Sequence, residues 1–94
     1  MIRLNAFFTL KDSVRTEDVT AITNELVAKS RQDKGNKGYD LFQSITNPRV
    51  FMFCETWETQ EDLDKHSAAP HFTSAVPALN ALTADGLSIE KFES

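Results

Sequence analysis

Two segments of this chain alternate with the period of an extended strand, yet neither has a face polar enough to meet water. In "IRLNAFFTL", Ile2, Leu4, Ala6, Phe8 and Leu10 fall on one side, while Arg3, Asn5, Phe7 and Thr9 fall on the other. In "VFMFCETW", Phe51, Phe53, Glu55 and Trp57 oppose Val50, Met52, Cys54 and Thr56. An antiparallel sheet with one wet face alternates more cleanly than this. Both sides of these strands therefore need cover, and that requirement limits the folds open to the chain.

The cover for one side is legible between and after the strands. From Thr16 the apolar period lengthens: Val19, Ile22 and Leu26 recur at helical spacing, with Glu17 and Asp18 early and Lys29 late, as a helix dipole favours. Ser13 or Thr16 is placed to cap this helix, which is expected from Thr16 to Asp33. The glycines of "DKGNKG" then make a connecting turn. Tyr39–Thr46 and Val50–Trp57 flank "NPR", the signature of an antiparallel hairpin. Thr59 is placed to cap a short helix from Gln60 to about His66. Pro70 suits the first turn of a further helical piece carrying Phe72, Val76, Leu79 and Leu82 inward, with a kink or restart expected at Pro77. Asp85 and Gly86 turn into a last strand, Leu87 to Phe92.

The resulting order, β-α-β-β-α-β, predicts an α+β, ferredoxin-like sandwich: a four-stranded antiparallel sheet with its helices on one face. The other face is left with an apolar patch of the kind that marks an interface. A second copy of the chain, sheet against sheet, would cover it, so a homodimer is expected. At 94 residues the chain reads as a single domain, 1–94, whose modest core would gain from such a partner.

Charge and cysteine content exclude several functions. The net charge is −4, and the densest basic group, Lys29, Arg31, Lys34 and Lys37, gathers at one helix end without interleaved aromatics, so no nucleic-acid partner is expected. No run approaches the roughly 20 apolar residues of a membrane span. Cys54 stands alone, which fits a reducing, cytoplasmic setting, and the first residues lack the features of a secretory signal.

"CETWETQEDLDKHSAAPHF" is the most distinctive stretch. With Glu55, Trp57, Thr59, Leu63, His66, Pro70, His71 and Phe72 in this order, it resembles the central motif of the antibiotic biosynthesis monooxygenase superfamily, in its quinol monooxygenase branch. The resemblance implies a dimeric α/β barrel. It also implies a cofactor-independent monooxygenase that joins a quinol-like or polyphenolic aromatic small molecule to dioxygen with no metal and no organic cofactor. Isomerisation of a small phosphorylated dione is a second activity found on this scaffold, but no basic cluster lies near His66 to hold a phosphate. A non-catalytic ligand-binding or stress module is a third. In the haem-degrading branch an asparagine of the first strand, matched here by Asn5, works with a Trp and a His. Those two positions fall near His66 and Val76 here, which argues against haem.

Within that frame His66 is the expected catalytic proton acceptor, because an imidazole takes a proton near neutral pH and a deprotonated quinol is electron-rich. Its alternative role is a buried histidine bonded to a carboxylate such as Glu55. Asn5 is the expected polar positioner. Trp57, Tyr39, Phe72, Phe53, Glu55 and His71 are the expected substrate-binding residues, each with an ordinary packing or capping role as its alternative. His66 and His71 stand five apart across a proline with no Glu or Cys at ligand spacing, so no metal is expected. Cys54 is expected in the seam between two sheets.

Overall fold

Strand β1, Ile2–Thr9, alternates buried and more exposed residues along its length, and it is the axis on which the molecule is built. The computed structural model describes residues 1–93. Around β1 stand α1 (Thr16–Ser30), β2 (Asn36–Gln43), β3 (Val50–Trp57), α2 (Gln60–Ser67), α3 (Pro70–Leu82) and β4 (Ser88–Glu93). The sheet order is β2-β3-β1-β4, with every neighbour antiparallel, which is the ferredoxin-like arrangement.

Register decides which residues share a face. Leu4 pairs with Glu55 and Lys91, and Ala6 with Phe53 and Ile89, so these positions look towards the helices. Asn5 pairs with Cys54 and Glu90, on the opposite side. The core lies wholly between sheet and helices, where Phe8, Val19, Leu26, Tyr39, Phe53 and Trp57 are almost fully buried. Phe8 stacks on Phe51 with ring centroids 5.1 Å apart, joining two strands by a cross-strand aromatic pair.

Local chemistry sets the ends of the elements. Neither Ser13 nor Thr16 is the N-cap of α1; Arg15 holds that position, and the Asp18 carboxylate accepts its backbone N–H at 2.9 Å. Thr59 caps α2, its hydroxyl accepting from the Asp62 N–H at 3.1 Å. The hairpin at Asn47–Arg49 closes with the Val50 N–H donating to the Asn47 carbonyl at 3.0 Å.

Several boundaries differ from the sequence-based expectations. Helix α1 ends at Ser30, three residues early, because a chain of turns leads to Gly35, which takes a positive φ of 79°. A side chain at Gly35 would collide with Asp62, so this turn lies hard against the first turn of α2. Strand β2 starts at Asn36 rather than Tyr39, through a bulge between Asn36 and Gly38. The two helical pieces expected after β3 are both present, as α2 and α3 meeting at Ala68–Ala69. Pro77 does not interrupt α3, which runs unbroken from Pro70 to Leu82, so the expected restart is absent. No helix among the described residues is long and apolar enough to cross a membrane.

Candidate active site

The site is built where α2 crosses the end of the β2–β3 hairpin. Helix α2 buries Leu63 and His66, a spacing of three that places both side chains on the sheet-facing stripe. The alternation of β3 sends Phe53, Glu55 and Trp57 up to meet them. Tyr39 arrives from β2 and Phe72 from the first turn of α3. The result is an aromatic cage around the His66 imidazole: its ring centroid lies 4.6 Å from Trp57, 5.0 Å from Phe72 and 5.5 Å from Tyr39.

Beneath this cage is a cavity of about 70 Å³ whose walls include Tyr39, Phe53, Glu55, Leu63, His66 and Phe72. Leu87 and Ile89 close it from the β4 edge. A wider groove of about 240 Å³ runs over the outside between α1 and α3, past Glu25, Lys29 and His71. Its charged rim lies open to solvent, so the chemistry of interest belongs to the enclosed cavity.

Three ionisable side chains line the cavity, Glu55, His66 and Tyr39, and burial disfavours the charged form of each. Glu55 is only 5% exposed, and its pKa is pushed up to about 7 by desolvation, while the indole N–H of Trp57, which donates to Glu55 Oε1 at 3.0 Å, pulls it down. His66 is 2% exposed, and burial lowers its pKa below the usual histidine value against the opposing pull of Asp33. At pH 7 the imidazole is therefore neutral. The Tyr39 hydroxyl is pushed up by burial first and the Glu55 charge second, so it stays protonated.

The polar partner of His66 is not Glu55. Asp33, in the turn after α1, accepts from His66 Nδ1 at 2.9 Å and from His71 Nε2 at 2.8 Å, using the same oxygen, Oδ2. The Nε2 atom of His66 is buried and has no hydrogen-bond partner among the described residues. Asp33, His66 and His71 bring their ligand-type atoms within 4.8 Å of one another. That spacing could hold a metal ion, which would sit about 2 Å from each such atom and would replace the two hydrogen bonds to Oδ2. In this structure the three side chains form a hydrogen-bonded cluster.

Five of the eight side chains singled out in the sequence converge on the cavity: Tyr39, Phe53, Glu55, His66 and Phe72. Trp57 does not line it; fully buried, it packs behind Glu55 and His66. His71 stands outside, joined to the site through Asp33. Asn5 does not join the site at all. Its neighbours Leu4 and Ala6 face the cavity, and strand alternation turns Asn5 to the other side of the sheet. Pairing it with His66 in one pocket is thus corrected by the period of the strand itself. Asp33 was missed. The one available signal was an acid just past a helix C-terminus, among Lys29, Arg31 and Lys34, where the dipole disfavours negative charge.

Comparison with known proteins bears on the family and the fold. The family model described as antibiotic biosynthesis monooxygenase matches residues 1–78. YcnE of Bacillus subtilis, provisionally named a monooxygenase, is 29% identical over 93 residues, covering 99% of this chain and 97% of its own. A crystal structure of an antibiotic biosynthesis monooxygenase superposes with a TM-score of 0.92 at 32% identity, covering 100% of this chain and 98% of that one. SnoaB, a cofactor-independent oxygenase from Streptomyces nogalater, has a TM-score of 0.86 at 15% identity over 99% of this chain and 91% of its own, a likeness of fold.

Proposed function

The chain belongs to the antibiotic biosynthesis monooxygenase family, and on that premise we propose that it is a cofactor-independent monooxygenase acting on a quinol-like or polyphenolic aromatic. The observation that carries this is the neutral imidazole of His66, set in an aromatic cage with one ring nitrogen buried and unpaired. A buried nitrogen with a free lone pair can accept a hydrogen bond from an acidic hydroxyl that reaches it and take up the proton as that hydroxyl reacts.

The chemistry closes without an added reductant. A quinol O–H breaks and its proton passes to His66 Nε2. The quinolate gives one electron to dioxygen, and the resulting radical pair joins to form a C–O bond. His66 returns the proton to the peroxide; as the O–O bond breaks, the C–H bond on the oxygenated carbon breaks with it, so that one oxygen stays on the ring as a carbonyl and the other leaves with that hydrogen as water. Quinol and dioxygen thus become hydroxyquinone and water, with the substrate as electron source. Tyr39, Phe53 and Phe72 would hold the flat ring, and Glu55, titrating near pH 7, would face one of its oxygens.

At about 70 Å³ the cavity is well below the roughly 300 Å³ at which small-molecule sites begin. Entry therefore requires wall side chains to move aside. Phe72 and Leu87 are part-exposed and Ile89 is exposed on the sheet edge, which makes them the movable walls.

The dimer belongs to the same proposal. On the open sheet face Phe42, Met52 and Phe7 form one cross-strand row, and Phe92 lies beyond it. A second copy packed there would bury Phe42 and Phe92, each about half exposed. Cys54, unpaired, would lie in that seam, as suits a reducing cytoplasm.

The test is direct. Protein mixed with menadiol or an anthrone should consume oxygen, and His66→Ala should lower the rate by about 100-fold or more, the contribution of a positioned proton acceptor. Equal rates in the two proteins would remove His66 from the chemistry.

A further inference from the structure

We propose that Asp33 is the positioning residue of the site: it fixes the tautomer of His66 so that Nε2 presents a bare lone pair, and it stabilises the imidazolium formed when that nitrogen takes a proton. This rests on His66 being the proton acceptor described above.

The geometry leaves one tautomer. An ionised carboxylate has only acceptor capacity. Asp33 Oδ2 lies 2.9 Å from His66 Nδ1, so the hydrogen of the neutral ring sits on Nδ1 and the lone pair is left to Nε2. The other tautomer would set a bare nitrogen against a carboxylate oxygen. It would also leave an N–H on Nε2, where the described residues offer no acceptor. Each of those faults costs about 1–3 kcal/mol for a buried group, so the equilibrium lies far to the first side.

His71 holds Asp33 in place. Its Nε2 donates to the same oxygen at 2.8 Å from the start of α3, so Asp33 is clamped between two helices that it does not belong to. The turn carrying Asp33 is itself fixed: Gly35 is packed against Asp62 of α2, and the Glu58 N–H donates to the Gly35 carbonyl at 2.8 Å. Helix α2 is thereby held to the end of α1 at the two places that matter for His66.

Four titratable groups surround His66. They are Asp33 from the turn after α1, His71 from α3, Glu55 from β3 and Tyr39 from β2. Asp33 is the one bonded to its ring, and it favours the charged form.

Nitrogen-15 NMR of histidine-labelled protein reads the tautomer without reference to turnover. In the wild type near pH 8, His66 should show a protonated Nδ1 and a bare Nε2. Asp33→Ala should turn this into a mixture or into the Nε2–H form, and lower kcat/KM for menadiol oxygenation by about 10- to 100-fold, within the range set by a correctly held proton acceptor. Asp33→Asn keeps the shape and an acceptor oxygen while losing the charge. It should retain the tautomer but move the acid limb of the kcat/KM profile to lower pH, because the imidazolium has lost its counter-charge. A role confined to holding the turn would move neither the tautomer nor the limb.

A wild-type His66 carrying its hydrogen on Nε2 would overturn the proposal. So would an unchanged tautomer in Asp33→Ala, or an unmoved acid limb in Asp33→Asn. Should Asp33→Ala fail to fold, the isosteric Asp33→Asn variant and the wild-type spectrum decide between these outcomes. Failure of the catalytic proposal is separable: full oxygen uptake by His66→Ala would end it while leaving the wild-type tautomer as assigned.

Discussion

Both faces of the sheet carry aromatic side chains, five on the helical face and three on the open one, and they differ further in how their polar groups are treated. On the helical face each has an assigned place: Glu55 accepts from Trp57, His66 donates to Asp33, and Tyr39 is sealed among aromatics. On the open face the central row of Glu90, Asn5, Cys54 and Asp40 is polar and mostly solvated, between a row with Phe7, Met52 and Phe42 and the outlying Phe92. Burial has converted the first face into a site with shifted proton affinities, and the second remains a surface suited to a partner. Enclosure, rather than residue type, separates the proposed chemistry of one face from the proposed dimer contact of the other.

The sharpest way to break this contrast is to empty the helical side. Trp57→Ala should cost about 3–5 kcal/mol in chemical denaturation, the usual cost of deleting a fully buried indole, and should free Glu55 from its N–H donor. A loss below 1 kcal/mol would mean that the cage is not part of the core.

Glu55→Gln tests the same side with opposite sign. A folded pKa near 7 against an ordinary 4.5 means that the folded state binds the extra proton between those values. The wild type therefore has its full stability below about pH 4.5, loses it as pH rises towards 7, and carries the whole cost above that. Gln can still accept the Trp57 N–H and never ionises. The variant should be more stable than the wild type by about 2–3 kcal/mol at pH 8 and indistinguishable from it at pH 4. A variant less stable at pH 8 would refute the raised Glu55 pKa.

On the open face the expected effects concern association. Phe42→Asp should weaken dimer formation by at least about tenfold, near 1.4 kcal/mol, in sedimentation at micromolar concentration, with the monomer still folded by circular dichroism. An unchanged sedimentation profile would place the interface elsewhere. The smallest effect is expected at Asn5. Asn5→Ala should leave folding within about ±0.5 kcal/mol and oxygen uptake within about twofold, a null result on the face opposite His66. A large loss of turnover would return Asn5 to the site.

Much of the architecture was readable because its signals are local. The period of two in Ile2–Leu10 and Val50–Trp57, the capping threonine at 59 and the asparagine–proline turn at 47–48 each act within a few residues. They mark the strands, the hairpin and the start of α2. The same alternation carried the information that Asn5 and His66 cannot share a cavity. The restart expected at Pro77 does not occur because a proline two turns into an amphipathic segment is a local fault that burial of Ala75 and Leu79 on the same helix overrides.

What the sequence by itself determined is therefore the set of elements, the two faces of each strand and the residue types available for chemistry. The tertiary structure alone decided that Asp33, 33 residues before His66 and 38 before His71, would be the carboxylate binding both imidazoles. It also decided that Glu55 would titrate near pH 7. Both depend on three elements closing over one spot and removing its water, and no short-range pattern in a chain encodes how far a charge will be from solvent once distant segments meet.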